Sequence, residues 1–253
     1  MSEMTFYHWC VVAWMALAAV TFVALFFVTA PYGRFTRNGW GPRIGARLGW
    51  ILMETPVLIT FLVLYGVSDR KSNPVSLVLV ALFAVHYVHR ALVYPFRVHS
   101  SRPSITVSVV AMAVVFNVGN GYLNGRYLFK LGPKLPVSWL LDPRFIVGAV
   151  IFVSGYVLNQ YADHVLIELR ADGEQGYKVP RGGIYNFVSC PNYLGEMLEW
   201  GGWALACWNL GALAFFVWTV ANLAPRAIKT HRWYKDTFPD YPEQRKALLP
   251  FIV

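Results

Sequence analysis

Charge is scarce in this chain of 253 residues. Charged residues make up 14% of it and apolar residues 57%, where a soluble domain carries about 25% and about 45–50%. That balance excludes intrinsic disorder, which needs low hydrophobicity and high charge. It also argues against an ordinary soluble enzyme, as does a mean hydropathy of +0.45. Cysteine is scarce too. Cys10, Cys190 and Cys207 form no close pair and give neither a disulfide framework nor a zinc spacing. A Gly-x-Gly-x-x-Gly run is missing; the nearest, Gly119-Asn120-Gly121 with Gly125, has the wrong spacing. Walker, His-Glu-x-x-His and Cys-x-x-Cys motifs are missing as well. His86, His89 and His99 lack the flanks of a metal motif, so no metal is expected. The N-terminal Met1-Ser2-Glu3-Met4 has no basic region and no clear cleavage site comes after it, so the first apolar run reads as a retained helix.

The chain does have long apolar runs. A membrane span needs about 20 mostly apolar residues. Candidate spans cover 9–30, 49–66, 75–94, 104–123, 145–169, 193–207 and 211–225, with a polar segment 226–253 after them. The last two are divided at Trp208-Asn209-Leu210-Gly211. The expected fold is therefore a single all-α membrane domain of seven transmembrane helices. Basic residues number 22 against 13 acidic ones, for a net charge of +9. In a membrane protein such an excess marks loops facing anionic cytoplasmic lipid; nucleic acid and a bound anionic cofactor are the other readings. With the N-terminus outside, sixteen Lys and Arg fall on the cytoplasmic side and six opposite. The bias orients the C-terminus to the cytoplasm. Four basic residues between spans four and five dissent.

Ionisable groups inside a span are costly and point to function. Glu54 sits among Ile51, Leu52, Met53, Pro56 and Val57. Desolvation favours its neutral acid, which can donate a hydrogen bond. The bland reading is a carboxyl bonded to another helix or to an arginine. Tyr87, Arg90, Ala91 and Tyr94 share a stripe of the third span, overlapped by His86 and His89. A buried tyrosine can donate to a carbonyl oxygen, while an interfacial aromatic belt explains the same residues. Asn159, Asp163 and Arg170 form one stripe of the fifth span, and Asn192, Glu196 and Glu199 one of the sixth. Arg226 comes after the seventh, with His231, Arg232, Trp233 and Tyr234 beyond. Acids could bond ribose hydroxyls and arginines phosphates. The alternative is a self-neutralising network between helices.

Several blocks carry a family resemblance. They are Met53-Glu54, His86-Tyr87-Val88-His89-Arg90, Asn120-Gly121-Tyr122-Leu123-Asn124-Gly125 and the stretch from Asn159 to Arg170. Then come Tyr177-Lys178-Val179-Pro180-Arg181-Gly182-Gly183-Ile184, the run from Asn192 to Gly201, and Arg226-Ala227. Most specific is the end, Asp240-Tyr241-Pro242 with Arg245-Lys246-Ala247-Leu248-Leu249-Pro250-Phe251-Ile252. From about residue 30 onward the chain resembles the steroid 5α-reductase family, and it is read as a bacterial member. The resemblance implies seven membrane helices and NADPH-dependent reduction of the 4-ene of a 3-oxo steroid. It places Glu54 and Tyr87 about the steroid C3 carbonyl. It places Asn159, Asp163, Arg170, Asn192, Glu196, Arg226 and Tyr234 on NADPH, with Arg102 and Lys178 as further phosphate contacts. Met53 stands where the family often has glutamine, and Thr230 in a stretch usually richer in histidine.

The steroid would arrive from lipid and NADPH from the cytoplasm, with membrane lipids as surroundings and neither nucleic acid nor metal as partner. The membrane would be a bacterial inner membrane, or the endoplasmic reticulum in a eukaryote. Two other classes stay open. One is a related membrane enzyme, a sterol C14-reductase or an isoprenylcysteine carboxyl methyltransferase, the latter using S-adenosylmethionine and needing no Glu54/Tyr87 pair. The other is a seven-helix transporter or receptor, against which the polar stripes argue.

Overall fold

Within hydrocarbon a backbone must satisfy its own polar groups, and long apolar runs do so as helices. A computed structural model describes residues 1–31, 33–98, 104–169 and 176–252 of this all-α membrane protein. Helix α1 spans Glu3–Phe27 and starts on Ser2, whose hydroxyl accepts from the Thr5 amide. A short strand β1, Arg43–Gly45, leads into α2, Ala46–Gly66. Helix α3, Pro74–Val88, opens with Pro74 in its first turn behind the Asn73 cap. A π turn, His89–Val93, and a short α4, Tyr94–Arg97, prolong it. Strand β2, Ser104–Thr106, pairs antiparallel with β1 and feeds α5, Val107–Arg126, which ends in a second π turn, Tyr127–Leu131. Helix α6 covers Pro143–Glu168, α7 Pro191–Cys207 and α8 Leu210–Thr237. Between the last two, Trp208 turns left-handed at φ 48° and Asn209 caps α8 by accepting from the Ala212 amide.

Among the described residues, six helices are long and apolar enough to cross a membrane, where the sequence counted seven spans. The shortfall is α7, with 17 residues. Two boundaries also shift. Residues 104–106, expected to open the fourth span, are strand β2. The seventh helix does not stop at 225 but runs through Arg226 and Tyr234 to Thr237. Lys and Arg are good helix formers, so the apolar run ends before the helix does.

The helices run up and down. At one end Tyr7 donates to the Leu123 carbonyl, Trp139 to that of Ala206, and Arg70 to those of Leu128, Lys130, Gly132 and Pro133. At the other, the β1–β2 pair, Lys229 with Thr29, Arg34 with Tyr234 and Arg97 with His164 lie together. The segments counted as basic in the sequence gather at this second end.

Helices α6 and α7 touch backbone to backbone. Gly148 and Gly155 face Gly195 and Gly202, each pair seven residues apart. A Cβ on Gly155 would stand on the Glu199 amide nitrogen, and one on Gly202 on that of Phe152. Small residues allow such close crossings in a membrane, where no hydrophobic force drives helices together. Beside this seam an aromatic core packs Phe61 on Phe83 at 4.0 Å between ring centres, with Phe129, Phe152, Trp200 and Trp203 around them. The seam and the core fix α3, α6 and α7 relative to one another, and the polar residues sit where they meet.

Candidate active site

Leu79, Phe83, His86 and Tyr87 form the buried face of α3. The Tyr87 ring stacks on Trp200 at 5.6 Å and lies 4.8 Å from Phe83. Its neighbour His86 bonds Glu199, Nδ1 to Oε1 at 2.8 Å, and Glu199 is completely buried. The second carboxyl oxygen of Glu199 has no hydrogen bond among the described residues. A buried carboxyl is retained at a cost unless fully bonded.

From α2, Glu54 lies in electrostatic range of Tyr87, His86 and Arg90, with Asn117 of α5 in hydrogen-bonding reach. Asn117 also donates to the Met53 carbonyl at 2.5 Å. From α7, Glu196 faces His86, Arg90 and Glu54. Glu54, Arg90 and Glu196 keep partial accessibility although they lie deep among protein atoms. They therefore form a half-buried polar cluster between α2, α3 and α7.

The π turn re-aims Arg90. Its extra residue per turn carries the guanidinium inward, where Nη1 donates to Asp163 at 3.0 Å. The Asn192 amide donates to the other Asp163 oxygen at 3.1 Å, and the Asn159 amide to the Asn192 carbonyl at 3.0 Å. The stripes of α6 and α7 thus meet, tied to each other and neutralised by Arg90. Arg90 also lies over the rings of Trp50 and Tyr94, at 4.8 and 4.5 Å.

Farther toward the basic end, Arg226 of α8 donates to the Tyr193 hydroxyl at 2.8 Å, beside Asn192. Arg34 donates to Tyr234 and lies over the rings of Tyr177, Trp233 and Tyr234, 4.5–5.2 Å from their centres. Arg34 Nη1 is buried without a hydrogen bond among the described residues. Tyr234 stacks on Tyr241 at 5.3 Å. The Tyr241 hydroxyl meets Ser189 at 2.6 Å, and burial pushes its pKa above the usual tyrosine range. Ser189 also bonds His231 at 2.6 Å. The Ser189 amide donates to the Lys246 carbonyl and the Cys190 amide to that of Ala247, so the C-terminal segment clasps the start of α7.

A buried pair of possible donors thus stands at one end of a polar track and an aromatic cluster holding arginine at the other. Residues 103–253 match the family described as 3-oxo-5-alpha-steroid 4-dehydrogenase. A steroid 5-alpha-reductase from Gossypium hirsutum is 42% identical over 255 residues, covering 99% of both chains. The chain belongs to the 3-oxo-5-alpha-steroid 4-dehydrogenase family. A steroid 5-alpha-reductase from Arabidopsis thaliana is 37% identical, covering 99% of this chain and 98% of the relative. The 3-oxo-5-alpha-steroid 4-dehydrogenase 1 of Bos taurus is 40% identical over 94% of this chain and 93% of its own length. These plant and mammalian relatives give no support to the bacterial source read from the sequence.

Of the expected site residues, Glu54, Tyr87, Asn159, Asp163, Asn192 and Glu196 come together around one polar region. Arg226 and Tyr234 lie with Arg34 nearer the basic end. Lys178 is exposed. Arg102 and Arg170 fall outside the described residues. Of the helical stripe drawn through Arg170, the described part of α6 carries Asn159 and Asp163. Sequence reasoning placed His86, Arg90 and Glu199 on polar stripes but did not count them, Arg34 or the asparagines of α5 among the site residues. For α5 the signal was there, three amides within an apolar run.

Proposed function

We propose that this enzyme reduces the 4,5 double bond of a 3-oxo-4-ene steroid with NADPH, and that Glu54 and Tyr87 polarise the C3 carbonyl. The observation that carries the reading is that Glu54 of α2 lies in electrostatic range of the buried Tyr87 of α3, in a chain of this family. The residues present suit a dinucleotide. Arg34 has a buried, unbonded Nη1 among three aromatic rings, which suits a phosphate beside a planar base. Asn159, Asp163, Asn192, Glu196, Arg226 and Tyr234 would hold the rest, with Arg102, Arg170 and Lys178 as phosphate contacts. The acids and amides would turn from their mutual bonds to ribose or carboxamide groups.

Bound NADPH supplies the hydride that C5 accepts. The chain's part is to stabilise the charge that then develops on the substrate. Negative charge moves to the C3 oxygen as an enolate forms, and a proton taken from water then adds at C4. Two donors aimed at that oxygen lower the barrier, as oxyanion donors do. Glu54 can donate only as the neutral acid, the form that desolvation favours. The stacking of Tyr87 between Phe83 and Trp200 fixes the second donor.

In this reading α7 is a seventh, short span and the basic end faces the cytoplasm, from which NADPH arrives. The apolar steroid arrives from lipid. A reporter after Val253 in intact cells should resist external labelling, and labelling from outside overturns the orientation. The test of the chemistry is single-turnover hydride transfer from bound NADPH to a 3-oxo-4-ene steroid. Wild type should transfer and Tyr87→Phe should be strongly slowed while NADPH binding is retained. Equal rates remove Tyr87 from the mechanism. Binding of S-adenosylmethionine in place of NADPH would favour the methyltransferase class.

A further inference from the structure

We propose that Trp203, Asn124 and Asn120 form a one-way hydrogen-bond chain that holds the Tyr87 hydroxyl as a donor, which makes all three positioning residues. The proposal rests on the reading of Tyr87 above and asks what sets the direction of its proton.

The direction starts at Trp203, a fully buried residue of α7. Its indole N–H donates to Asn124 Oδ1 at 2.8 Å. An indole can only donate, so the Asn124 atom facing it must be the carbonyl oxygen. That removes the usual ambiguity between the two ends of an amide. The NH₂ of Asn124 then points one turn back along α5. It donates to Asn120 Oδ1 at 2.9 Å and to the Asn120 carbonyl at 3.0 Å. With its side-chain oxygen committed as an acceptor, Asn120 offers donors onward. Asn120 and Asn124 are both completely buried. Asn120 Nδ2 is buried with no hydrogen-bond partner among the described residues, and Tyr87 is the neighbouring group with which it interacts.

A hydroxyl that accepts from Asn120 is left with its own proton to give. Glu54, in electrostatic range of Tyr87, is the second donor to the same substrate oxygen in the reading above. With Asn120 donating to that hydroxyl, the order runs from Trp203 to Asn124, to Asn120, to Tyr87, to the substrate oxygen, the first two bonds being those in the structure. Aligned hydrogen bonds polarise one another, so the last donor is strengthened by those behind it. The bland competitor is an inter-helix tie in which Trp203 and Asn124 hold α5 to α7 and affect Tyr87 only through stability.

The two differ in a double-mutant cycle. Trp203→Phe keeps an aromatic ring and removes the first donor. Single-turnover hydride transfer from NADPH to a 3-oxo-4-ene steroid should fall about 3- to 10-fold, the range of one hydrogen bond, with both affinities unchanged. In a Tyr87→Phe background the same substitution should change nothing further, because the hydroxyl it served is gone. An equal loss in both backgrounds, or no loss in wild type, overturns the proposal. If Tyr87→Phe alone leaves the rate intact, the catalytic reading fails first, and the two failures are distinct. Asn120→Leu, similar in volume and without a donor, provides the same cycle if Trp203→Phe does not fold. It must lose rate only where Tyr87 is present.

Discussion

Placing a methyl group at Gly195 tests whether the α6–α7 seam builds the site. A Cβ there would lie 2.5 Å from the Asn159 amide nitrogen, 2.7 Å from the Gly155 carbonyl oxygen and 2.9 Å from Asn159 Cα. All three are helical backbone atoms, so no side chain can turn away. Relief requires the helices to part by about 1 Å, and overpacking of this kind costs about 1–3 kcal/mol. Parting also stretches the bonds from Asn159 to Asn192 and from Asn192 to Asp163, now 3.0 and 3.1 Å. Each is worth about 0.5–1.5 kcal/mol, which brings the expected loss to about 2–6 kcal/mol. Thermal unfolding in detergent micelles measures it. Turnover should fall further, since about 1 Å of misplacement can cost about 100-fold. Gly201→Ala is the internal control. Its Cβ would meet Phe216 Cε2 at 3.2 Å, an atom on a ring that can shift, so stability should change by less than about 0.5 kcal/mol. If Gly195→Ala proves as stable and as active as Gly201→Ala, the seam is not what positions Asn159, Asp163 and Asn192.

Other substitutions probe the remaining parts. Tyr87→Phe and Glu54→Gln should each lower turnover, by about 100- to 1,000-fold for a lost oxyanion donor, and less for glutamine because an amide still donates. Equal single-turnover rates for wild type and Glu54→Gln would show only that donation suffices, so Glu54→Leu is the stricter variant and an unchanged rate there refutes the role. Arg226→Ala should weaken NADPH binding by about 2–5 kcal/mol if it meets a buried phosphate, and an unaltered titration removes that assignment. Ser189→Ala deprives His231 and Tyr241 of a shared partner. It should lower stability by about 1–3 kcal/mol, and an unshifted melting curve would show that the clasp does not depend on this hydroxyl.

The apolar runs made most of the bundle legible, because a membrane leaves a long apolar segment little choice but helix. They misplaced the end of α8, since hydropathy reports where lipid stops and not where helix stops. The three-residue strands escaped notice because each gains its partner only across about 60 residues of chain. At the site, Glu54 and Tyr87 stood out as polar groups among apolar ones. Arg90 did not receive its partner, because α-helical spacing was assumed through the segment that forms a π turn. The choice between a ligand site and a self-neutralising network was not readable from spacing. The structure shows the network bonds among Arg90, Asp163, Asn192 and Asn159, and the same groups can exchange them for those of a ligand. Arg34 was invisible as a site residue. Its rings come from Tyr177, Trp233 and Tyr234, far along the chain.

The clasp between residues 187–190 and 246–247 has a consequence for the order of synthesis. Phe187, Ser189 and Cys190 exchange backbone hydrogen bonds with Lys246 and Ala247, and the segment they occupy sets the start of α7, where Asn192 and Tyr193 begin. During translation α7 emerges long before its clasp exists. The long helices can enter the membrane one after another, yet the start of α7 lacks these bonds until Lys246 and Ala247 have been made. Maturation of this enzyme is therefore a late event. A ribosome stalled before Lys246 would hold a chain in which this clasp has not formed.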